Sequence, residues 1–246
     1  MMKIQIVVPC YNEASRFSPD QALAFLARDD VGLILVNDGS SDTTGALLEQ
    51  FAVSFGDRVV VLNLQYNQGK AEAVRAGMRL AHERGAQVTG YMDGDFATPA
   101  AEMLRLIEVL MASEATAVLL GSRWQHLGAD IQRHPMRHYG GRVFATLASQ
   151  VLKLKVYDTQ CGAKLFRVGA PLISALQAPF ASPWAFDVEL LGRLRQQLSE
   201  SVFLEVPLNR WIDVEGSKIS LMDMVQATLS LFTIRRALKA WANSHQ

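Results

Sequence analysis

Val88-Thr89-Gly90-Tyr91-Met92-Asp93-Gly94-Asp95-Phe96 is an apolar run closed by two carboxylates one residue apart. Alternate residues of an extended strand point the same way. The run therefore reads as a buried strand from Val88 to Asp93 that aims Asp93 and Asp95 at one hard cation, at the strand end where open α/β sheets bind ligands. An Asp-x-Asp also arises as simple turn chemistry, so its neighbours decide between the two readings.

Working outward, short β-branched runs recur at Ile4 to Pro9, Gly32 to Asn37, Val59 to Asn63 and Ala117 to Gly121. Helical patterns lie between them. Asp42 to Phe55 puts Leu47, Leu48 and Phe51 at helical spacing, and Lys70 to Arg84 repeats Val74, Gly77, Met78 and Ala81. Pro99 to Ala112 starts with Thr98 as its cap and Pro99 at the first helical position. This alternation predicts an α/β fold with a mainly parallel central sheet and helices on both faces. The order then loosens. A helix from about Arg137 to Leu154 carries Phe144, Leu147, Val151 and Leu154 on one face, followed by a strand Lys164 to Arg167, a helix after Pro183 and a strand Val202 to Val206. The expected organisation is one domain over 1–215 and an amphipathic helical tail over 216–246.

Composition narrows the class. Half of the 246 residues are apolar, enough for a sizeable core. Lys plus Arg equals Asp plus Glu at 24 each, so the chain has no global attraction for nucleic acid. Cys10 and Cys161 lie far apart and outside any metal-ligand spacing, as expected of two buried thiols in a reducing compartment. The first residues lack the apolar core and cleavage site of a signal peptide, and the longest apolar stretch, Ile219 to Ile234, is broken by Asp223 and Gln226. A cytoplasmic protein is expected.

Two further strand ends carry polar groups: Val8-Pro9-Cys10-Tyr11-Asn12-Glu13 and Val36-Asn37-Asp38-Gly39-Ser40-Ser41-Asp42. Together they suit a base and ribose. Asp38 is able to accept from the imide N–H of uracil, and Tyr11 offers a ring for stacking. Read singly, Asp38-Gly39-Ser40 is a turn and Asp42 a helix cap.

These segments, with Asn67-Gln68-Gly69-Lys70 and Gly121-Ser122-Arg123, resemble in order and spacing the family 2 glycosyltransferases of the GT-A fold. Asp158-Thr159-Gln160-Cys161-Gly162-Ala163-Lys164-Leu165-Phe166, Trp184-Ala185-Phe186-Asp187-Val188-Glu189 and Glu215-Gly216-Ser217-Lys218 resemble the dolichyl-phosphate β-glucosyltransferase branch and its bacterial polyprenyl-phosphate relatives. The resemblance implies an inverting, metal-dependent transfer of a hexose, glucose first, from a UDP-sugar to a polyprenyl or dolichyl phosphate; the alternatives are a family 2 transferase with a soluble or glycan acceptor and a nucleotide-sugar-binding module without turnover. It implies Pro9, Tyr11, Glu13, Asp38 and Lys70 around the nucleotide. It further implies Mg²⁺ or Mn²⁺ on Asp93 and Asp95, with Asp95 the direct ligand and Asp93 in ribose or water-mediated contact. The acceptor phosphate is already ionised and needs positioning more than a base. Arg123, Arg133 and Arg137 suit that task, because a guanidinium fork grips two phosphate oxygens; a solvated basic loop before a helix is the lesser alternative by charge pattern.

Asp158 and Asp187 are, by the same resemblance, the acids near sugar and acceptor. Asp187 and Glu189 diverge by about 200° on a helix, so only one of them enters the site. Cys161 reads as packing. Two departures from the family pattern stand out: Ala71-Glu72 follows Lys70 in place of a second glycine, and Asn37 replaces the first of a double aspartate. Glu72 is expected to alter diphosphate or sugar contacts. The helix near Arg137 and the tail, with Leu221, Met222, Val225, Leu229, Phe232, Arg235, Arg236 and Lys239, suit a peripheral position at the inner face of a membrane. Packing on the domain or on a second copy in a homo-oligomer is the alternative.

Overall fold

The computed structural model describes residues 3–132, 135–212 and 221–244, with 135–140 and 221–227 as backbone alone. The elements run β1 (Ile4–Cys10), α1 (Pro19–Leu26), β2 (Val31–Asp38), α2 (Thr44–Val53), β3 (Val59–Leu64), α3 (Lys70–Glu83), β4 (Val88–Tyr91), α4 (Ala100–Ala112) and β5 (Val118–Ser122). They continue with β6 (Asp130–Gln132), α5 (Pro135–Leu152), β7 (Lys164–Arg167), α6 (Ala170–Gln177), α7 (Phe186–Gln197), β8 (Phe203–Pro207), β9 (Arg210–Ile212) and α8 (Leu221–Ser244).

The central sheet has the order β3-β2-β1-β4-β7-β5-β8. Pairing is parallel except at β7, which runs antiparallel to both β4 and β5. β6 and β9 form a separate parallel pair. The period of two sorts the strand residues onto two faces. Ile4, Ile6 and Val8 of β1 and Leu33 and Leu35 of β2 join α1, α2 and α4 in one apolar layer. Val7, Ile34, Val36 and Tyr91 join α3, α5, α6, α7 and α8 in the other. The strands are apolar on both faces because helices cover both.

Three expectations are corrected. β4 ends at Tyr91, and Asp93 to Phe96 form a turn in which the Phe96 N–H donates to the Asp93 carbonyl at 3.1 Å and Phe96 has φ 53°. The two carboxylates therefore sit on a turn and not on a strand. Thr98 does not cap α4; its Ala100 N–H donates instead to the Gln21 side chain of α1 at 2.8 Å. On α5, Phe144, Ala148 and Leu152 are buried while Leu147 faces outward. α8 buries Leu231, Ile234, Leu238 and Trp241 against α5 and α7, leaving Leu229 and Phe232 exposed.

Among the described residues no helix is long and apolar enough to cross a membrane. The inward face of α8 makes a clear prediction. Ile234→Ala empties a fully buried site and is expected to cost about 2–5 kcal/mol. A fall in the urea midpoint at constant m-value checks it.

Candidate active site

The ligand edge is built from loops that hold one another. The Asn12 side-chain carbonyl, on a residue with φ 52°, accepts from the Ser41 N–H at 2.9 Å, and the Glu13 N–H donates to Thr44 Oγ1 at 2.8 Å. The loops after β1 and β2 are thereby laced together. Asp38, buried at the end of β2, accepts from the Gln68 and Gly69 N–H groups at 2.8 and 2.9 Å. Its two oxygens thus shape the loop before α3 and deliver Lys70 to the first position of that helix. Each Asp38 oxygen keeps a further lone pair beyond these two bonds. Tyr11 is 45% exposed at the rim, as a stacking ring requires, and the Pro9 carbonyl backs Gly94, where a Cβ would approach it to 2.7 Å.

Lys70 pairs with Asp93 through Nζ and Oδ1. Gly162 closes the other side of that carboxylate, since a Cβ at this position would fall 2.1 Å from Asp93 Oδ2. Burial pushes the Asp93 carboxyl up, but Lys70, Arg123 and Lys164 outweigh it and hold it below the usual carboxylate range. Asp95 behaves oppositely. Burial, and then the Asp93 charge, raise its pKa, and its Oδ1 accepts from the Ala97 N–H at 3.1 Å. Burial also raises Glu13, with Asp95 and Asp93 adding to the effect against its ion pair with Arg16 at 2.7 Å. Its Oε2 is buried without a protein partner. Among the described residues no three acids or thiols converge as a ready-made metal site.

On the far side of Asp93, Arg123 at the end of β5 forks onto Asp158, with Nε to Oδ2 at 2.7 Å and Nη2 to Oδ1 at 2.8 Å. Its guanidinium lies over the Trp211 ring at 5.3 Å. Glu205 of β8 fixes the Asp158 loop by accepting from the Tyr157 and Asp158 N–H groups, both at 2.7 Å. Asp158 is therefore the partner that orients Arg123. Thr159 and Gln160 line a small pocket beside them, where Thr159 Oγ1 and Gln160 Nε2 lack protein partners.

Asp187, in the first turn of α7, forms the floor. Its Oδ1 accepts from the fully buried Lys164 ammonium at 2.6 Å and from the Tyr91 hydroxyl. Burial and then Asp187 raise the Tyr91 phenol well above its ordinary value, so the hydroxyl stays a donor. Asp187 Oδ2 has no hydrogen-bond partner among the described residues. Glu189 resolves the ambiguity between the two acids, because it is buried against Arg193 at 2.6 Å and takes no part in the cleft. Glu72 does not reach the site either: it pairs with Arg75 at 2.6 Å, which in turn donates to the Leu176 carbonyl at 3.0 Å. Burial pushes the Cys161 thiol up to about 11, in keeping with packing. Arg133 and the Arg137 side chain lie outside the described residues.

Lys164, Tyr91, Glu205 and Trp211 are site residues that pattern reasoning did not single out as such. A lysine inside an apolar strand was the available signal, since an ammonium is rarely buried without a partner.

The fold, with acids, an ammonium and a guanidinium gathered at its carboxyl edge, defines a GT-A glycosyltransferase. The chain belongs to glycosyl transferase family 2, whose family model matches residues 5–170. The dolichyl-phosphate beta-glucosyltransferase of Mus musculus is 34% identical over 235 residues, covering 88% of this chain and 69% of the relative. That of Saccharomyces cerevisiae is 30% identical over 260 residues, covering 95% and 74%. Among solved structures, glucosyl-3-phosphoglycerate synthase of Mycobacterium tuberculosis with uridine-diphosphate superposes with a TM-score of 0.69 at 17% identity, over 96% of this chain and 80% of that one. A structure of that enzyme with Mn2+, uridine-diphosphate and glucosyl-3-phosphoglycerate gives the same TM-score.

The Asp38 clamp is testable. Asp38→Ala removes the acceptor for two backbone donors and is expected to cost about 1–3 kcal/mol. Amide exchange should accelerate at Gln68 and Gly69 ahead of the sheet; unchanged protection there would refute the clamp.

Proposed function

We propose that the chain transfers a hexose, glucose in the first instance, from a UDP-sugar to a polyprenyl or dolichyl phosphate with inversion at the sugar carbon. The observation that carries this reading is the arrangement around Asp93. Lys70 lies on one side of that carboxylate, and the Arg123–Asp158 fork and the unpartnered Asp187 Oδ2 lie beyond it. The relatives' names supply the acceptor class, and the solved neighbours supply uridine-diphosphate and Mn2+ as company for this fold.

The roles follow from chemistry. Tyr11 and the β1 and β2 loops receive the nucleoside. Lys70 moves onto the diphosphate, where a flexible ammonium neutralises charge that grows as UDP departs. Asp95 and Asp93 fit a divalent cation, because burial and then the Asp93 charge raise Asp95, and the Glu13 Oε2 beside them is buried without a protein partner. When bound there, Mg²⁺ or Mn²⁺ supplies Lewis-acid stabilisation of the leaving diphosphate. Arg123 has Nε and Nη2 engaged by Asp158, which leaves Nη1 for an acceptor phosphate. Thr159 Oγ1 and Gln160 Nε2 offer further donors in the same pocket. Asp187 Oδ2 orients a sugar hydroxyl, its carboxylate plane fixed by the two donors on Oδ1.

A lipid acceptor also fits the surface. Val143 and Leu147 of α5 and Leu229 and Phe232 of α8 are exposed apolar side chains, with Arg235, Arg236 and Lys239 exposed on α8. Apolar anchors beside cations suit an anionic membrane face, and a peripheral position there gives the site access to a lipid phosphate.

The test supplies UDP-glucose, Mn²⁺ and polyprenyl phosphate in vesicles and follows radiolabelled lipid-linked glucose. Asp95→Ala and Asp187→Asn are each expected to lower kcat by about 10²–10³ while leaving the circular-dichroism spectrum unchanged. Wild-type rates in either variant would remove that residue from the mechanism. Transfer only to a soluble phosphorylated acceptor such as phosphoglycerate would replace the lipid reading.

A further inference from the structure

Lys70 stands where a metal ion has to arrive. Its ammonium lies on Asp93 Oδ1, while Gly162 packs so closely behind Oδ2 that not even a methyl group fits there. Gly162 thus closes one approach to Asp93, and Lys70 occupies another. The lysine is not there by chance of rotamer alone. Asp38 grips the two N–H groups before it, Gly69 at φ 89° turns the chain into α3, and the Lys70 side chain leaves the first helical position toward the carboxylates. Asp187 and Asp95 both add to the attraction on its charge. Lys70 also stays partly open to solvent, so an incoming anion is able to reach it.

A cation entering this site alone meets two obstacles. It has to displace, or lie beside, a like charge on Asp93. It also finds an incomplete set of ligands, since Asp93, Asp95 and the neighbouring Glu13 do not fill the shell of a divalent cation. A nucleoside diphosphate removes both at once: its oxygens draw the ammonium away from Asp93, and they complete the coordination of the ion. We propose that Lys70 is an internal counter-ion that holds the Asp93 side of the cation site until a nucleoside diphosphate takes its ammonium, so that metal and donor load together. The inference rests on the UDP-sugar reading above and adds an order to it. After UDP leaves, the Lys70 ammonium would return to Asp93 and restore the ion pair.

Binding of Mn²⁺ to the full chain, read by electron paramagnetic resonance of the free ion without and with UDP, tests this directly. In the wild type, UDP is expected to tighten Mn²⁺ binding by about 10-fold or more, and Mn²⁺ to tighten UDP by the same factor. In Lys70→Met, Mn²⁺ is expected to bind without UDP about 10-fold more tightly than in the wild type, with the gain from UDP reduced to about twofold. Lys70→Arg keeps the charge and should retain the wild-type dependence. Equal Mn²⁺ affinity with and without UDP in the wild type, or Lys70→Met behaving as the wild type, overturns the counter-ion while leaving the donor reading intact. Absence of any UDP binding by calorimetry overturns the donor reading itself.

Discussion

The buried carboxylate of Asp38 is the constraint on which the ligand edge depends. It ends the strand beside β1 and, by accepting from Gln68 and Gly69, fixes the entry into α3. That entry decides where Lys70 sits, and Lys70 decides the electrostatic state of Asp93. Because these contacts link strand, loop and helix, they fix the shape of this side of the cleft from within the chain. Catalysis by charge stabilisation depends on this kind of preorganisation, in which dipoles and charges are already aimed at their work.

A chain of zero net charge nevertheless concentrates charge at one edge. Lys164 shows how the core tolerates this. Its ammonium is fully buried, yet it meets Asp187, the Cys161 carbonyl and the face of Tyr91, so no proton donor is left without company. Breaking such a pair exposes an uncompensated buried charge, which is far costlier than losing a surface ion pair. The same logic holds for Arg123 with Asp158 and for Arg193 with Glu189. The first two pairs flank the cleft, while the third holds α7 against Ala175, Ala178 and Pro179.

Much of the fold was legible in the sequence because β1, β2, β4 and β5 are buried on both faces and read as largely apolar runs. The end of β4 was not, since apolar Met92 prolongs the pattern and its N–H still reaches the Val7 carbonyl at 3.0 Å after the strand has ended. α1 went unread although Ser18 caps it and Pro19 opens it, and β6 and β9 are too short to carry a period. At the site, Asp38, Asp93 and Asp95 stood out by their places after apolar runs, whereas Lys70, Arg123, Asp158 and Asp187 entered through the resemblance to the family. Their partners were not legible. Lys164 with Asp187, Glu205 with the Asp158 loop and Gly162 with Asp93 are contacts between distant segments, and local pattern has no access to them.

The antiparallel strand β7 also bears on how this chain comes into being. It lies between β4 and β5, both made long before it, and it is the only bridge joining the β3-β2-β1-β4 half of the described sheet to β5 and β8. A growing chain emerging from the ribosome therefore presents β4 and β5 with exposed edges until residues near Lys164 have been synthesised. The sheet closes late, through pairings of large sequence separation that are intrinsically slow. The strand that bridges the two halves also carries Lys164, and the floor of the cleft is completed when α7, made after it, brings Asp187 onto that ammonium.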